Sequence, residues 1–168
     1  RSVTGDSPAF EAPMELSLGA LDLALCLALG IACGLVGVVL TRGIRLTHGL
    51  GERLRLGRLG TPAAFGLGVG LVGLLDPRAL GDGYPLIQDA IAGELGGLLG
   101  ALGLLLGLKV VASSFSLGSG APGGVFAPSL VLGAVAGVLF HRLVTPLVPS
   151  GELAPVGSFA LAGMGGLI

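Results

Sequence analysis

The chain has 168 residues, of which 52% are hydrophobic and 11% charged, with 9 basic against 10 acidic side chains. Water-soluble domains carry charge on about a quarter of their residues, yet from Val110 to Ile168 the only charged residues are Arg142 and Glu152, beside His141. This excludes a soluble fold, whose elements each need a polar outer face. The apolar content excludes disorder, the even charge balance argues against nucleic-acid binding, and the composition is that of a membrane protein.

Both ends of the chain read as cut. It opens on polar Arg1-Ser2-Val3-Thr4-Gly5-Asp6, without an initiating methionine or a signal peptide. It stops at Ile168 inside an uncharged run that begins at Leu153, shorter than the about 20 residues that span a bilayer core. Residues 1–168 are therefore expected to be a single transmembrane domain from a longer polytopic protein.

The first spanning segment is expected from Met14 to about Leu40, since Leu23 to Thr41 carries no charge. Alanines 20, 24, 28 and 32 recur every four residues, and Gly30 and Gly34 form GxxxG, which predicts close helix packing inside a bundle. Cys26 and Cys33 are seven apart in this apolar run, the spacing of two small buried residues on one helix face rather than a disulfide or metal pair. The stretch from Arg42 to Arg58 holds Arg42, Arg45, Arg53, Arg55 and Arg58 against the single acid Glu52. Residues 42–60 are expected to form a basic cytoplasmic loop obeying the positive-inside rule, in preference to a lipid-headgroup or partner site.

Thr61-Pro62 is expected to open a returning helix that ends at Leu75, before Asp76-Pro77. Residues 81–85 are rich in turn formers, and Leu86 to Ala92 is a short helical piece that cannot span. Leu95 to about Phe115 is a second spanning candidate, interrupted by Lys109, which is expected to snorkel or pair with a neighbour rather than act as a functional intramembrane charge. Val125 to Leu147 follows as another helix with GxxxG at Gly133 and Gly137, and a last helix begins near Val156. His48 and His141 stand beside arginines near helix ends and are expected to be surface histidines rather than proton relays.

Residues 118–128 carry the chemistry. Glycine-rich backbone between two apolar helices is permitted at membrane depth only inside protein or along a water-filled cavity, and a broken helix of this kind points to a transporter's substrate site. A helix starting near Val125 leaves its first N–H groups without intrahelical partners and places about +0.5 charge there. Gly123 and Gly124 have no side chains to shield those donors, and Pro128 in the first turn sacrifices an N–H that was unpaired anyway. Backbone donors hold an anion without the tight grip of a fixed lysine, which conduction requires. The implied substrate is a small anion.

The run GSGAPGGVFAPSLVLGAVAG, Gly118 to Gly137, closely resembles the GxFxP region of the CLC chloride channels and chloride/proton exchangers, with Gly124-Val125-Phe126-Ala127-Pro128 as GxFxP. Similarity extends to GSFALAGMGG at Gly157 to Gly166, to GDGY at Gly81 to Tyr84, and to GDSPAF at Gly5 to Phe10, in the family's order. The resemblance implies an all-α polytopic fold of two inverted repeats with broken, re-entrant helices, of which this chain covers the second half. It also implies a homodimer in lipid, chloride as substrate with protons as a possible countersubstrate, no cofactor, and a bacterial inner or plasma membrane. Chloride-binding amides are implied at Val125 and Phe126, supported by Gly118, Ser119, Gly120, Pro122, Gly123, Gly124, Ala127 and Pro128. The family's first-half serine, gating glutamate, proton-relay glutamate and last-helix tyrosine find no counterpart here. Ser119 sits in GSGAP, which imitates the first-half GSGIP but stands in the second half, so the serine's role does not transfer; Glu94 and Glu152 match no gating motif, and Tyr84 lies far upstream of the expected tyrosine.

Three other functions compete. Gly118, Gly120 and Gly123 satisfy GxGxxG, but the next acid is Glu152 and no βαβ unit surrounds the motif, so a dinucleotide enzyme is disfavoured. Another inverted-repeat carrier, for an organic anion, would use the same helix-end physics. A purely structural membrane subunit would leave a donor-rich buried helix start unliganded at a cost.

Overall fold

The computed structural model describes residues 20–55, 57–120, 123–148 and 153–168, all of whose regular elements are helical. The motif at Gly5 to Phe10, together with Ala121, Pro122 and Glu152, lies outside the described residues.

Helix α1 runs Ala20–Leu54, 35 residues without a break. The expected loop at 42–60 is thus helical through Leu54 and resumes as helix at Gly57. No proline interrupts the segment, arginine and leucine favour helix, and His48 faces Glu52 one turn on at 3.6 Å. Its glycines mark helix contacts rather than turns. A Cβ on Gly43 would lie 3.1 Å from Ser114 Cβ, and one on Gly51 would lie 2.6 Å from Thr61 Cγ2. The break comes instead at Arg55, forced to φ 50°, and Gly57 at φ 75°. At 1.5 Å per residue α1 is roughly 50 Å long, well beyond the bilayer core of about 30 Å.

Helix α2 (Gly57–Leu75) starts four residues ahead of Thr61, so Pro62 lies inside its first turns. It returns antiparallel to α1 and packs on α4 (Leu99–Gly118), with Phe65 and Phe115 rings 5.5 Å apart. Between them, a 3-10 turn at Pro77–Ala79 and helix α3 (Tyr84–Ala92) form a short excursion. Tyr84 opens α3 rather than lying in a loop, and it is half exposed.

Helix α5 (Phe126–Val144) is the centre of the fold, buried from Ser129 through Val138. It ends in a 3-10 turn at Thr145–Leu147, and α6 (Val156–Leu167) packs antiparallel on it. The approach is too close for side chains. A Cβ on Gly137 would lie 2.6 Å from the Phe159 carbonyl carbon, and one on Gly133 would lie 2.7 Å from Met164 Cα. The GxxxG of α1 behaves differently, since a Cβ on Gly30 or Gly34 meets nothing within 4 Å. Much of that helix is uncovered, with Leu27, Ile31 and Leu35 each at least 65% exposed. It touches α6 through Cys33, which is buried with its Sγ 3.6 Å from Gly163 O; Cys26 is only half-buried.

His141 is half-buried, part of it against Phe159. Its ring packs edge-on to Phe159 at 5.2 Å, and Thr145 Oγ1 lies 3.4 Å from Nδ1. Arg142 reaches across to donate to the carbonyls of Leu95, at 2.6 Å, and Gly97, closing the loop before α4.

Among the described residues, three helices are long and apolar enough to cross a membrane: α1 over Leu23–Leu54, α4, and the stretch Phe126–Leu147. The fold is that of an all-α, multi-pass membrane bundle.

Candidate functional site

The site begins where α5 begins. Val125 takes a helical backbone, φ −77° and ψ −19°, with no side chain capping the helix. Ser129 is the first residue whose N–H finds an acceptor among the described residues, Val125 O at 3.1 Å; its buried hydroxyl donates to the same oxygen at 2.9 Å. Pro128 has no N–H. The amides of Val125, Phe126 and Ala127 therefore lie at the positive end of the helix dipole without acceptors among the described residues.

Those donors are approachable. Val125 is 50% and Phe126 62% exposed, and a Cβ on Gly124 would meet nothing within 4 Å. Gly123, Gly124, Phe126, Ala127 and Pro128 form one wall of a cavity of about 500 Å³. The rest of its lining includes Lys109, Ser113 and Ser116 of α4 and the segment Leu80–Asp82. Residues 109, 113 and 116 share one face of a helix, so a polar stripe of α4 lines the cavity beside the start of α5.

The segment at 80–82 is held from both sides. Asp76 caps the 3-10 turn by accepting from Arg78 N at 3.0 Å, and the Arg78 guanidinium forks onto its carboxylate at 2.8 to 3.2 Å. That guanidinium holds the Asp76 carboxyl below the usual carboxylate range. On the cavity side, Lys109 Nζ donates to Gly81 O at 2.7 Å and to Leu80 O at 3.5 Å. Lys109 is 3% exposed, so it pairs with backbone carbonyls and does not snorkel to an interface.

The expected unit at 118–128 is divided. Gly118, Ser119 and Gly120 line a separate cavity of about 470 Å³ with His48, Arg55 and Thr61, where α1 and α4 end and α2 begins. Gly118 is there for the helix crossing, because a Cβ on it would lie 2.5 Å from Thr47 Cβ. Ser119 Oγ donates to Ser116 O at 2.7 Å, capping α4. Glu94 follows the αL glycine Gly93 at the end of α3 and is absent from the cavity wall at the start of α5. Neither Lys109 with Ser113 and Ser116 nor the segment at 80–82 was expected at the cavity beside the start of α5. The spacing of residues 109, 113 and 116 was visible in the sequence, but it gains meaning only once the chain places the start of α5 on the same cavity.

The profile described as voltage gated chloride channel matches residues 1–168. The chain is 35% identical over 175 residues to the H(+)/Cl(-) exchange transporter ClcA of Salmonella arizonae, covering 100% of this chain and 36% of that protein. It is 38% identical over 154 residues to the protein of the same description from Klebsiella pneumoniae, covering 87% of this chain and 31% of the relative. The chain thus spans about a third of the length of these curated relatives.

Proposed function

Starting from a chain that belongs to the voltage gated chloride channel family, we propose that it builds half of a chloride pathway, working as a channel or a chloride/proton exchanger in a bacterial inner or plasma membrane. The observation that carries this is the start of α5, where amides without acceptors among the described residues stand beside Gly123 and Gly124, next to a cavity lined by Phe126 and by α4.

In this proposal the anion sheds water as it enters the cavity and accepts hydrogen bonds from the amides of Val125 and Phe126. The α5 dipole adds its partial positive charge, strengthened by the low-dielectric surround. Gly123 and Gly124 permit the approach, while the Ser129 hydroxyl, turned back onto Val125 O, fixes the first turn without entering the site. Because the donors are dipoles and not a full charge, the anion is held and also released. The complete transporter is proposed to be a homodimer in lipid, with the remaining chloride ligands, the gate and any proton path on segments outside this chain.

The test is simultaneous chloride and proton flux from liposomes carrying the complete transporter. Chloride efflux that drives protons uphill identifies an exchanger, and chloride flux without protons identifies a channel. Folded, reconstituted protein that moves no chloride defeats the proposal and favours an organic-anion carrier using the same helix-end chemistry.

A further inference from the structure

Lys109 is a full positive charge, 3% exposed, in the middle of an apolar helix long enough to span a membrane. Such a residue is costly and has to be accounted for by its partners. Its partners are neutral: Gly81 O at 2.7 Å and Leu80 O at 3.5 Å, with no carboxylate within 4 Å of Nζ among the described residues. Carbonyls satisfy the ammonium's N–H groups but do not neutralise its charge, and a buried charge without a directly paired carboxylate is the expensive case.

The surroundings are built to keep the ammonium where it is. Gly81 and Gly83 stand at φ 67° and 72°, values that favour glycine. A Cβ on Gly83 would press to 2.7 Å from Val131 Cγ2 and 3.4 Å from Lys109 Nζ. The Asp76–Arg78 fork braces the other side of the same segment. Ser113 and Ser116 continue from Lys109 along the face of α4 that lines the cavity, and Gly123, Gly124 and Phe126 line the same cavity. The one carboxylate on this wall, Asp82, is exposed and lies where it can moderate the lysine's field without pairing with it.

We propose that Lys109 is a positioning residue for chloride: its fixed ammonium draws the anion into the cavity, and the hydroxyls of Ser113 and Ser116 lead it to the amides at the start of α5. The lysine lines the same cavity but is held by the carbonyls of 80 and 81, so it raises the local chloride concentration without becoming the tight binding site that would stop conduction. Asp82 acts in opposition, lowering the local positive potential. This inference rests on the proposed chloride pathway.

The experiment measures initial chloride flux against chloride concentration in liposomes carrying the complete transporter, with wild type, Lys109→Gln, Lys109→Arg and Asp82→Asn side by side. Lys109→Gln is expected to require roughly tenfold more chloride for half-maximal flux, at the lower end of electrostatic focusing. The deficit should shrink as an impermeant salt is added, because screening weakens the wild type's advantage. Lys109→Arg should retain most of the wild-type concentration dependence. Asp82→Asn should shift it about threefold toward lower chloride. If Lys109→Gln fails to fold, Asp82→Asn alone decides, and an unchanged curve for that variant overturns the inference.

Equal loss of maximal flux in Lys109→Gln and Lys109→Arg, with no change in concentration dependence, would mean a structural lock and also overturns it. A wild type that moves chloride while Lys109→Gln matches it at every concentration defeats this inference alone. A wild type that moves no chloride defeats the proposed function beneath it.

Discussion

Val125→Pro separates the backbone donor from everything else at the helix start. Proline fixes φ near −65 ± 15°, and Val125 already stands at −77°. The preceding residue is Gly124, whose missing Cβ removes the usual clash with the pyrrolidine ring. No hydrogen bond among the described residues uses the Val125 N–H, so no carbonyl loses a described partner when it disappears. The substitution thus deletes one amide aimed at the anion and should leave α5 intact. A hydrogen bond to a charged group is worth about 1.5–3 kcal/mol, so chloride should bind roughly 10- to 100-fold more weakly. Val125→Ala keeps the amide and trims a half-exposed side chain, and it should stay within about threefold of wild type. Isothermal titration of chloride into the complete transporter in detergent measures both variants, with a thermal melt to establish that each is folded. A folded Val125→Pro protein that binds chloride as wild type does would refute the claim that this amide is a ligand.

Two further substitutions test the packing and the access route. Gly137→Ala should destabilise by about 1–3 kcal/mol, because its methyl would lie 2.6 Å from the Phe159 carbonyl carbon, on backbone that cannot step aside. Gly34→Ala, with nothing within 4 Å, should be neutral or gain up to about 1 kcal/mol from helix propensity; melting temperatures in detergent distinguish the two. Gly123→Leu should fold, since its Cβ meets only the flexible end of Leu117 at 3.3 Å. Its side chain would push the anion from roughly 4 to 8 Å from a half-charge, costing about 1 kcal/mol at an effective dielectric near 20. Chloride affinity measured by titration should fall about fivefold, with flux falling further from obstruction. Unchanged flux would count against the helix start as the approach route.

Much of the helical order was legible because hydropathy and proline punctuation report on the chain locally. The short helix at 84–92 and the helix starting near Val156 came out within two residues of expectation. Where the expectation failed, tertiary contact decided. The basic stretch after Leu40 looks like a loop by charge, but Gly43, Gly51 and Thr47 are the places where α1 meets Ser114, Thr61 and Gly118. The two GxxxG motifs are equivalent as text, yet a Cβ on Gly133 or Gly137 would run into the backbone of α6, which supplies Gly163 in return, while one on Gly30 or Gly34 meets nothing within 4 Å. Spacing states that a close approach is possible; the facing helix determines whether one is made.

The same logic explains what could be read of the site. The helix start near Val125 could be read from sequence because it needs only local signals, two glycines before and a proline after; the chloride role of the Val125 and Phe126 amides came from the family resemblance and stays a proposal. Lys109 could not be read in that way, since its meaning depends on three segments that converge: its own helix, the carbonyls of 80 and 81, and the start of α5. A lysine amid leucines invites the inference that it escapes to the nearest interface, the cheapest outcome for an isolated helix. Here the carbonyls of a braced turn reach it first, so the charge remains at depth and faces the cavity. The proposed passage of an anion through this cavity would account both for the energetic cost of that arrangement and for its place beside the start of α5.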